Sequence, residues 1–224
     1  MIGCVLLAGG KSSRMNGIDK ALVSINNKTL LQLILDKLKI DNNKIVLNTN
    51  RDANNFKDYN LNIINDTIPN FQGPLAGILS GLEWFDKQDN NIEWVVSLPI
   101  DTPFFPEKLV DKLFESVNKN NRLVGVANSN GRNHPVFAIW HISLKNDLKN
   151  SLKNNIRKID LFTQKYTPVE VHFASSFDQF FNVNTPDDLK LAEDMFNKGI
   201  KSVSYTHLRA HETSLHLVCR LLLE

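Results

Sequence analysis

The chain lacks the features that mark several large classes of protein. Its two cysteines, Cys4 and Cys219, form neither a disulfide framework nor a CxxC metal pattern. No apolar run approaches the roughly 18 residues that span a bilayer. The formal net charge of +2 is too small to attract a polyanion or a charged membrane over a long range. We therefore expect neither a nucleic-acid partner nor a membrane partner.

The remaining composition is that of an ordinary globular protein. Of the 224 residues, 42% are apolar and 22% are charged, which suits one medium-sized domain with a hydrophobic core. The N-terminus shows no positively charged region and no signal-peptide cleavage site, because the apolar residues 2–8 run directly into a glycine turn. The expected location is the cytoplasm.

The composition changes abruptly near residue 202. Asparagine is abundant before this point and absent after it, and three of the six histidines follow it: His207, His211 and His216. The sequence VSYTHLRAHET at residues 203–213 resembles a translated sequencing adapter. We therefore interpret residues 1–201 as the native domain and residues 202–224 as a non-native tail. The alternative is a metal site, since His207 and His211 have the i,i+4 spacing of one helix face.

Short apolar runs alternate with segments of helical periodicity along residues 1–201. The apolar runs predict β-strands at residues 2–8, 44–47, 61–64, 94–98, 123–127, 135–139 and 169–173. The periodic segments predict helices at residues 29–38, 75–85, 106–117, 143–152 and 186–196. Thr29 is placed to cap the first helix, and Pro106 to begin the third. The alternation predicts an α/β fold: a single three-layer domain in which helices cover both faces of a mostly parallel central sheet.

The loops that follow the predicted strands contain the unusual residues of the chain. In open parallel sheets, ligands bind at the carboxyl ends of the strands. The loops after Ala8, Leu47, Ile64 and Leu98 should therefore converge on one site.

The first of these loops is rich in glycine and positive charge. It reads LAGGKSSRMNGIDKAL at residues 7–22, and the pair Gly9 and Gly10 lets the backbone turn sharply and present bare N–H groups to a phosphate. Lys11, Arg14 and Lys20 could screen a triphosphate. An ordinary glycine turn with solvated basic side chains is the alternative. The GxxxxGK[ST] and GxGxxG spacings are both absent, which weakens the ATPase and dehydrogenase interpretations.

Further motifs follow this loop in a characteristic order. DK occurs at residues 19–20, NTNR at 48–51, a lone Asp66 next, GPLAGI at 73–78, LPIDTPF at 98–104, HP at 134–135 and NVNTPDDL at 182–189. Together with LAGGKSSRM at 7–15, this series resembles the molybdenum cofactor guanylyltransferases, a MobA-like nucleotidyltransferase family, over nearly all of residues 1–198. The LAGG form is similar to the guanylyl branch, whereas related cytidylyltransferases usually have LAAG. One departure is Ile100, where the family often has cysteine, and we expect this position to affect packing only.

The resemblance implies a Rossmann-like nucleotidyltransferase fold of the GT-A-like type. It implies transfer of GMP from GTP to the terminal phosphate of the molybdopterin-bound molybdenum cofactor, with release of pyrophosphate and with Mg²⁺ as the cofactor. The implied partners are GTP, the molybdenum cofactor, and molybdoenzyme or chaperone proteins. Two alternatives stay open: cytidylyl or sugar-phosphate nucleotidyl transfer on the same fold, and a non-catalytic cofactor-binding protein.

Asp101, Lys20 and Arg14 are the candidate catalytic residues. Asp101 follows the buried run WVVSL, so it should lie at the carboxyl end of a strand, where a carboxylate suits Mg²⁺. Its alternative role is to cap the turn with Thr102. Lys20 is assigned to the phosphates, where its ammonium can follow charge onto the leaving pyrophosphate, and a solvated surface lysine is the alternative. Arg14 has the fork geometry that holds two phosphate oxygens.

The resemblance also points to residues that bind the nucleotide and the acceptor. Guanine and ribose are expected to contact the backbone of Leu7, Ala8 and Gly9, with Gly10 next to it, and the side chains of Asn48 and Asp66. For Asn48 and Asp66, a local turn is the alternative.

Three more polar residues are candidates for the acceptor side. Asn182 and Asn184 could orient a water or the pterin phosphate near the metal, or could instead cap the last helix. His134 could line the acceptor site, although a lone histidine is often structural.

Overall fold

The computed structural model of the chain describes residues 1–9, 19–68, 73–88, 91–175 and 177–198. Gly10, Lys11 and Arg14 lie outside the described residues, as does the segment 202–224 that we interpret as a tail.

A seven-stranded sheet forms the centre of the described part of the chain. Its strands are β1 (Ile2–Leu7), β4 (Ile45–Asn48), β5 (Asn62–Ile64), β6 (Trp94–Pro99), β7 (Val124–Ser129), β8 (Arg132–His141) and β9 (Val169–His172). A separate hairpin contains β2 (Ser24–Ile25) and β3 (Lys28–Thr29). The order is β5-β4-β1-β6-β8-β7-β9, and β8 alone in this sheet is antiparallel to its neighbours. The predicted α/β class and mostly parallel sheet are confirmed.

Helices cover both faces of this sheet. They are α1 (Leu30–Lys37), α2 (Pro74–Lys87), α3 (Leu109–Asn120), α4 (Lys145–Lys153), α5 (Ile159–Thr163) and α6 (Pro186–Asn197). Alternation along β1 divides the core: Cys4 and Leu6 pack with α1 and α3, while Val5 packs on the opposite face with α2, α4 and α5. The three-layer prediction is therefore confirmed. Within the described ranges, no helix is long and apolar enough to cross a membrane.

Two helix starts were predicted from nearby residues, and the structure confirms one and contradicts the other. Thr29 caps α1 as predicted, because its hydroxyl accepts a hydrogen bond from the backbone N–H of Gln32 at 3.1 Å. The prediction that the third helix begins at Pro106 is wrong. Pro106 opens a tight turn, in which the N–H of Leu109 donates to the Pro106 carbonyl at 2.9 Å. Lys108 leaves helical geometry at φ −90° and ψ 18°, so α3 begins only after it.

A third apolar cluster joins α6 to the carboxyl edge of the sheet. Val23 and Ile25 from the β2–β3 region pack with Phe104, Val183 and residues of α6. This packing brings the segment 182–185, which precedes α6, beside the loop that follows β6. The two motifs are distant in sequence, and burial of their apolar neighbours places them at one edge.

Candidate active site

The loops at the carboxyl ends of β4, β1 and β6 meet through backbone hydrogen bonds. The N–H of Ala8 donates to the Asn48 carbonyl at 2.8 Å, and the N–H of Ile100 donates to the Leu7 carbonyl at 3.3 Å. The loop after β5 joins them, because the N–H of Thr49 donates to the Ile64 carbonyl at 2.9 Å. The predicted convergence of the four loops is confirmed. Two groups of polar side chains lie at this edge.

The first group surrounds the carboxylate of Asp101. One oxygen, Oδ2, lies 3.5 Å from Nζ of Lys20, and Oδ1 accepts a hydrogen bond from Oγ1 of Thr102 at 3.3 Å. The Asp101 carbonyl accepts a 2.7 Å hydrogen bond from the N–H of Val183. The carboxylate is thus held by its neighbours, yet its side chain is still 21% exposed. It can accept a ligand without a large rearrangement of the loop.

Lys20 projects toward this carboxylate from a short 3₁₀ helix, Lys20–Leu22. Its ammonium donates a short hydrogen bond to Oδ1 of Asn184 and faces Asp101. The side chain is 19% exposed, so it is not the solvated surface lysine that was the alternative. A cation fixed between a carboxylate and an amide oxygen can interact with an anionic ligand at the same edge.

The pair Asn182 and Asn184 contacts this first group and does not cap α6. Thr185 is the cap: its hydroxyl accepts from the N–H of Asp188 at 3.1 Å, and the Asp188 carboxylate accepts from the N–H of Thr185 at 2.9 Å. Oδ1 of Asn182 accepts a 2.5 Å hydrogen bond from Oγ1 of Thr102. The amide oxygens of both asparagines are therefore engaged, which leaves their NH₂ groups as donors.

The second group of side chains lies beyond β4. The Asp66 carboxylate accepts hydrogen bonds from Nδ2 of Asn48 at 3.1 Å and from Nδ2 of Asn50 at 2.9 Å. Oδ1 of Asn50 in turn accepts from the backbone N–H of Asp66 at 3.1 Å. Asp66 therefore braces two loops and does not form a turn within one. Asn48 is 3% exposed and its Oδ1 points toward the first turn of α2.

Gly77 in the first turn of α2 is required for this arrangement. A Cβ at Gly77 would lie 2.3 Å from Oδ1 of Asn48 and 2.6 Å from Cδ2 of Leu7. Glycine is the residue that allows a helix to approach this closely. Gly77, the second glycine of the motif GPLAGI, is therefore needed for the close packing of α2 against Asn48 and Leu7. This role is separate from the placement of a helix N-terminus near a ligand.

Asp101 also lines a cleft of about 460 Å³. Its lining includes Pro99, Asp101 and Asn182, together with Arg132, His134 and Phe180. The His134 ring stacks on the Phe180 ring, with centroids 4.1 Å apart and planes inclined by 17°, and its Nε2 is 2.8 Å from Oγ of Ser129. The lining of the cleft therefore combines the partly exposed imidazole of His134, backed by the buried Phe180, with the Asp101 carboxylate and other polar groups.

The protonation of His134 is shifted by its surroundings. Burial lowers the pKa of this imidazole, and the nearby charge of Arg132 lowers it further, although the carboxylate of Asp178 acts in the opposite direction. A lowered pKa means that the ring is neutral at neutral pH. His134 can therefore stack on a ligand and form hydrogen bonds there without adding charge.

The described residues contain no cluster of three or more His, Cys, Asp or Glu side chains that could hold a metal ion. Magnesium is commonly held by one or two carboxylates, with substrate phosphates and waters completing its shell. The partly exposed carboxylate of Asp101, which lies next to Lys20, is suited to this mode of binding. Asp101 is therefore suited to a metal that arrives with a phosphate ligand, and not to a resident metal held by the protein alone.

Several residues of the site were not assigned from the sequence. Asp19, Thr102, Arg51 and Arg132 lie within or beside the motifs, but no spacing showed what they contact. Phe180 lies in no motif, and its stacking on His134 has no sequence signal. Of the predicted site residues, the structure brings Lys20, Asp101, Asn182 and Asn184 into one connected group. It places Asn48 and Asp66 in the other.

Comparisons with known proteins agree with this geometry. A family model described as the MobA-like NTP transferase domain matches residues 4–166. A molybdenum cofactor guanylyltransferase from Rhodopseudomonas palustris is 40% identical over 193 residues, which cover 85% of this chain and 90% of the relative. A protein of the same name from Yersinia pestis is 41% identical over 189 residues, covering 84% of this chain and 93% of the relative.

Solved structures show a similar fold. The molybdopterin-guanine dinucleotide biosynthesis protein A from Archaeoglobus fulgidus matches with a TM-score of 0.69 and 26% identity, covering 88% of this chain and all of that one (100%). The 4-diphosphocytidyl-2C-methyl-D-erythritol synthase from Anaerococcus prevotii matches with a TM-score of 0.66 at 13% identity, covering 88% of this chain and 96% of that one. At that identity the second likeness concerns the fold alone.

Proposed function

The chain belongs to the MobA-like NTP transferase family, and from that premise we propose that it transfers GMP from GTP to the terminal phosphate of the molybdenum cofactor. The observation that carries the proposal is the connected group of Lys20, Asp101 and Asn184. Asp101 also lines the cleft that contains His134, and the loop that follows its strand meets the loops after β1 and β4. The family is one of nucleotidyltransferases, and the names of the relatives supply the guanylyl donor and the acceptor.

The nucleoside is assigned to the loops after β1, β4 and β5. The backbone of Leu7, Ala8 and Gly9 can contact the base, since a Cβ at Gly9 would meet only one atom of the described part of the chain, Oδ1 of Asn48 at 3.9 Å. Asn48 and Asp66 supply an amide and a carboxylate, which suit the donors and acceptors of guanine and ribose. These two residues already hydrogen-bond to each other, so the site is organised before the nucleotide arrives.

The triphosphate is assigned to Lys20, with Gly10, Lys11 and Arg14 supplied by the glycine loop. Asp101 would hold Mg²⁺, which supplies charge neutralisation to the phosphates when it is bound. Lys20 adds a fixed positive charge at the same place. Because both reactants are anions, positioning and neutralisation of charge account for most of the catalysis that such a site must provide.

The reaction needs no nucleophile from the protein. An oxygen of the acceptor's terminal phosphate forms a bond to the α-phosphorus of GTP, and the bond from that phosphorus to the β-bridging oxygen breaks. The electron pair leaves with pyrophosphate, whose growing negative charge Lys20 can stabilise. The residues bind and orient two phosphates, and they exchange no proton with either.

The acceptor is assigned to the cleft beside Asp101. The partly exposed ring of His134, which stacks on the buried Phe180, can offer a flat face to a heterocycle. Arg132 can pair with an anionic group of the acceptor, and the NH₂ of Asn182 can donate to its phosphate. The acceptor phosphate would then lie next to Asp101, where the donor phosphates are also assigned.

A pyrophosphate-release assay tests this function. The chain ending at Lys201 is incubated with each nucleoside triphosphate, with Mg²⁺ and with purified molybdenum cofactor, and each component is omitted in turn. We expect release only when GTP, Mg²⁺ and cofactor are all present. Faster release with CTP or UTP would replace guanylyl transfer by a related transfer. A folded protein that binds the cofactor without turnover would support the non-catalytic alternative.

A matched pair of variants tests the role of Asp101. Asp101→Asn keeps the shape of the side chain and removes its charge, so turnover should fall by about 100-fold or more. Glu115→Gln removes an exposed carboxylate on α3 and should leave turnover unchanged. Equal activity in the two variants would contradict the assignment of the metal to Asp101.

A further inference from the structure

The short helix that presents Lys20 depends on an aspartate that is almost fully buried. Asp19 precedes this helix, and its Oδ1 accepts a hydrogen bond from the backbone N–H of Ala21 at 3.0 Å. The side chain of Asp19 is only 7% exposed. The orientation of the Lys20–Leu22 helix therefore rests on a carboxylate that is removed from water.

The second oxygen of this carboxylate needs a counter-charge. Oδ2 of Asp19 is buried and, among the described residues, it has no hydrogen-bond donor. Nε of Arg51 lies 3.3 Å from it, and the Arg51 side chain is 33% exposed. A buried charge without compensation is costly, so loss of the guanidinium would favour a conformation in which Asp19 leaves its position.

Arg51 belongs to the loop that follows β4. It follows β4 in the segment that contains Asn48 and Asn50, both of which bind Asp66. The Arg51–Asp19 ion pair is therefore a bridge from the loop assigned to the nucleoside to the helix assigned to the phosphates.

We propose that Arg51 is a positioning residue: its guanidinium neutralises Asp19 and thereby keeps Lys20 in line with Asp101 and Asn184. The proposal rests on the proposed nucleotidyl transfer, in which Lys20 stabilises charge on the leaving group. Arg51 acts through Asp19 and does not touch the reacting phosphates. A change of about 1 Å at a catalytic group costs on the order of 100-fold in rate.

The effect on kinetics follows from this indirect role. Arg51→Met keeps a long side chain and removes the charge, so kcat should fall by about 10- to 100-fold, with a smaller change in the KM for GTP. Arg51→Lys keeps a positive charge in reach of Asp19 and should retain most of the activity. Lys28→Met, which breaks the exposed Lys28–Asp36 pair away from the site, is the matched control and should behave as the unaltered protein.

A second substitution separates this role from direct binding of the nucleotide. Asp19→Asn keeps the oxygen that accepts from Ala21 and removes the charge that requires Arg51. The double variant Asp19→Asn/Arg51→Met should therefore be more active than Arg51→Met alone and recover to within about threefold of Asp19→Asn. If the double variant were no better than Arg51→Met, or if Arg51→Met were fully active, the positioning role would be overturned.

A spectroscopic readout tests the same role without turnover. Lysine labelled with ¹³C at Cε reports the Lys20 environment by NMR, and Lys20→Arg identifies the resonance. That resonance should move in Arg51→Met and return in the double variant, and an unmoved resonance would refute the inference. Absence of pyrophosphate release from the unaltered chain would count against the proposed function, while the NMR comparison would still decide the inference.

Discussion

Because α2 packs closely against Asn48, which is assigned to the nucleoside, we predict that Gly77→Ala destabilises the protein and weakens the binding of GTP. In an open helix, this substitution should stabilise the protein by about 0.5–1 kcal/mol, because alanine is a better helix former than glycine. Here the new Cβ would lie 2.3 Å from Oδ1 of Asn48. That separation is about 1 Å shorter than a normal carbon–oxygen contact. Asn48 is buried, so it cannot move into solvent without disturbing its neighbours.

The magnitude follows from two opposing terms. Forcing an extra methyl group into a packed region costs about 1–3 kcal/mol, which exceeds the gain in helix propensity. A net loss of about 1 kcal/mol in a chain of this size lowers the Tm by about 2–4 °C. The displaced Asn48 should also lose its 3.1 Å hydrogen bond to Asp66. That loss would add to the destabilisation and lower the Tm further. Because Asn48 and Asp66 are assigned to the nucleoside, their disturbance should also raise the KM for GTP, by about tenfold for each ~1.4 kcal/mol of binding energy lost.

The assay is a thermal unfolding curve combined with pyrophosphate-release kinetics at varied GTP. The control is a double-mutant cycle with Asn48→Ala, which removes the clashing amide. Adding Gly77→Ala to Asn48→Ala should cost no further stability, because the terminal Cδ2 of Leu7 can move aside. A higher Tm for Gly77→Ala together with an unchanged KM for GTP would refute the steric reasoning.

Three further predictions concern other parts of the molecule. Lys20→Ala should lower turnover by about 100-fold at saturating GTP, as judged by kcat, and full activity would contradict a role in stabilising the leaving group. Because the pKa of His134 is lowered on folding, the unfolded chain binds a proton more readily, so stability should decline as the pH falls below about 6.5. His134→Phe keeps a ring next to Phe180 and should weaken this decline, which is measured as Tm from about pH 7.5 to 5. An unaltered dependence of Tm on pH would contradict the role of His134. We also propose that residues 202–224 are non-native. A chain ending at Lys201 should therefore match the full chain in kcat and Tm. An intact reading frame with these codons in native DNA would contradict the non-native origin of the tail.

The sequence by itself determined the architecture, and it predicted where the site lies. Periods of two and of about 3.6 residues define which side chains can be buried together, so the seven strands of the central sheet and the helices α1, α2, α3, α4 and α6 could be predicted. The short helix α5 and the β2–β3 hairpin were not predicted. The position of Asp101 after a buried run could be predicted because the carboxyl end of a strand in a parallel sheet faces the ligand edge. The cap at Thr29 was predictable because it depends on a hydrogen bond within four residues.

Local sequence was a weaker guide where backbone geometry or strand direction is set by distant packing. The helix expected from Pro106 begins only at Leu109, because the intervening residues form a tight turn. The antiparallel direction of β8 follows from the short turn at Asn130 and Gly131, which joins it to β7. The apolar pattern alone predicts a strand in either direction.

Only the tertiary structure decided which polar groups meet in the site. Thr102 and Asn182, Asp19 and Arg51, and His134 and Phe180 are pairs whose members are separated along the chain. No periodicity links such residues, because their contact depends on the order of strands in the sheet and on the packing of α6 against the β2–β3 hairpin. The sequence therefore identified the chemical groups, while the packing of the chain determined their partners and, through them, the direction in which each group points.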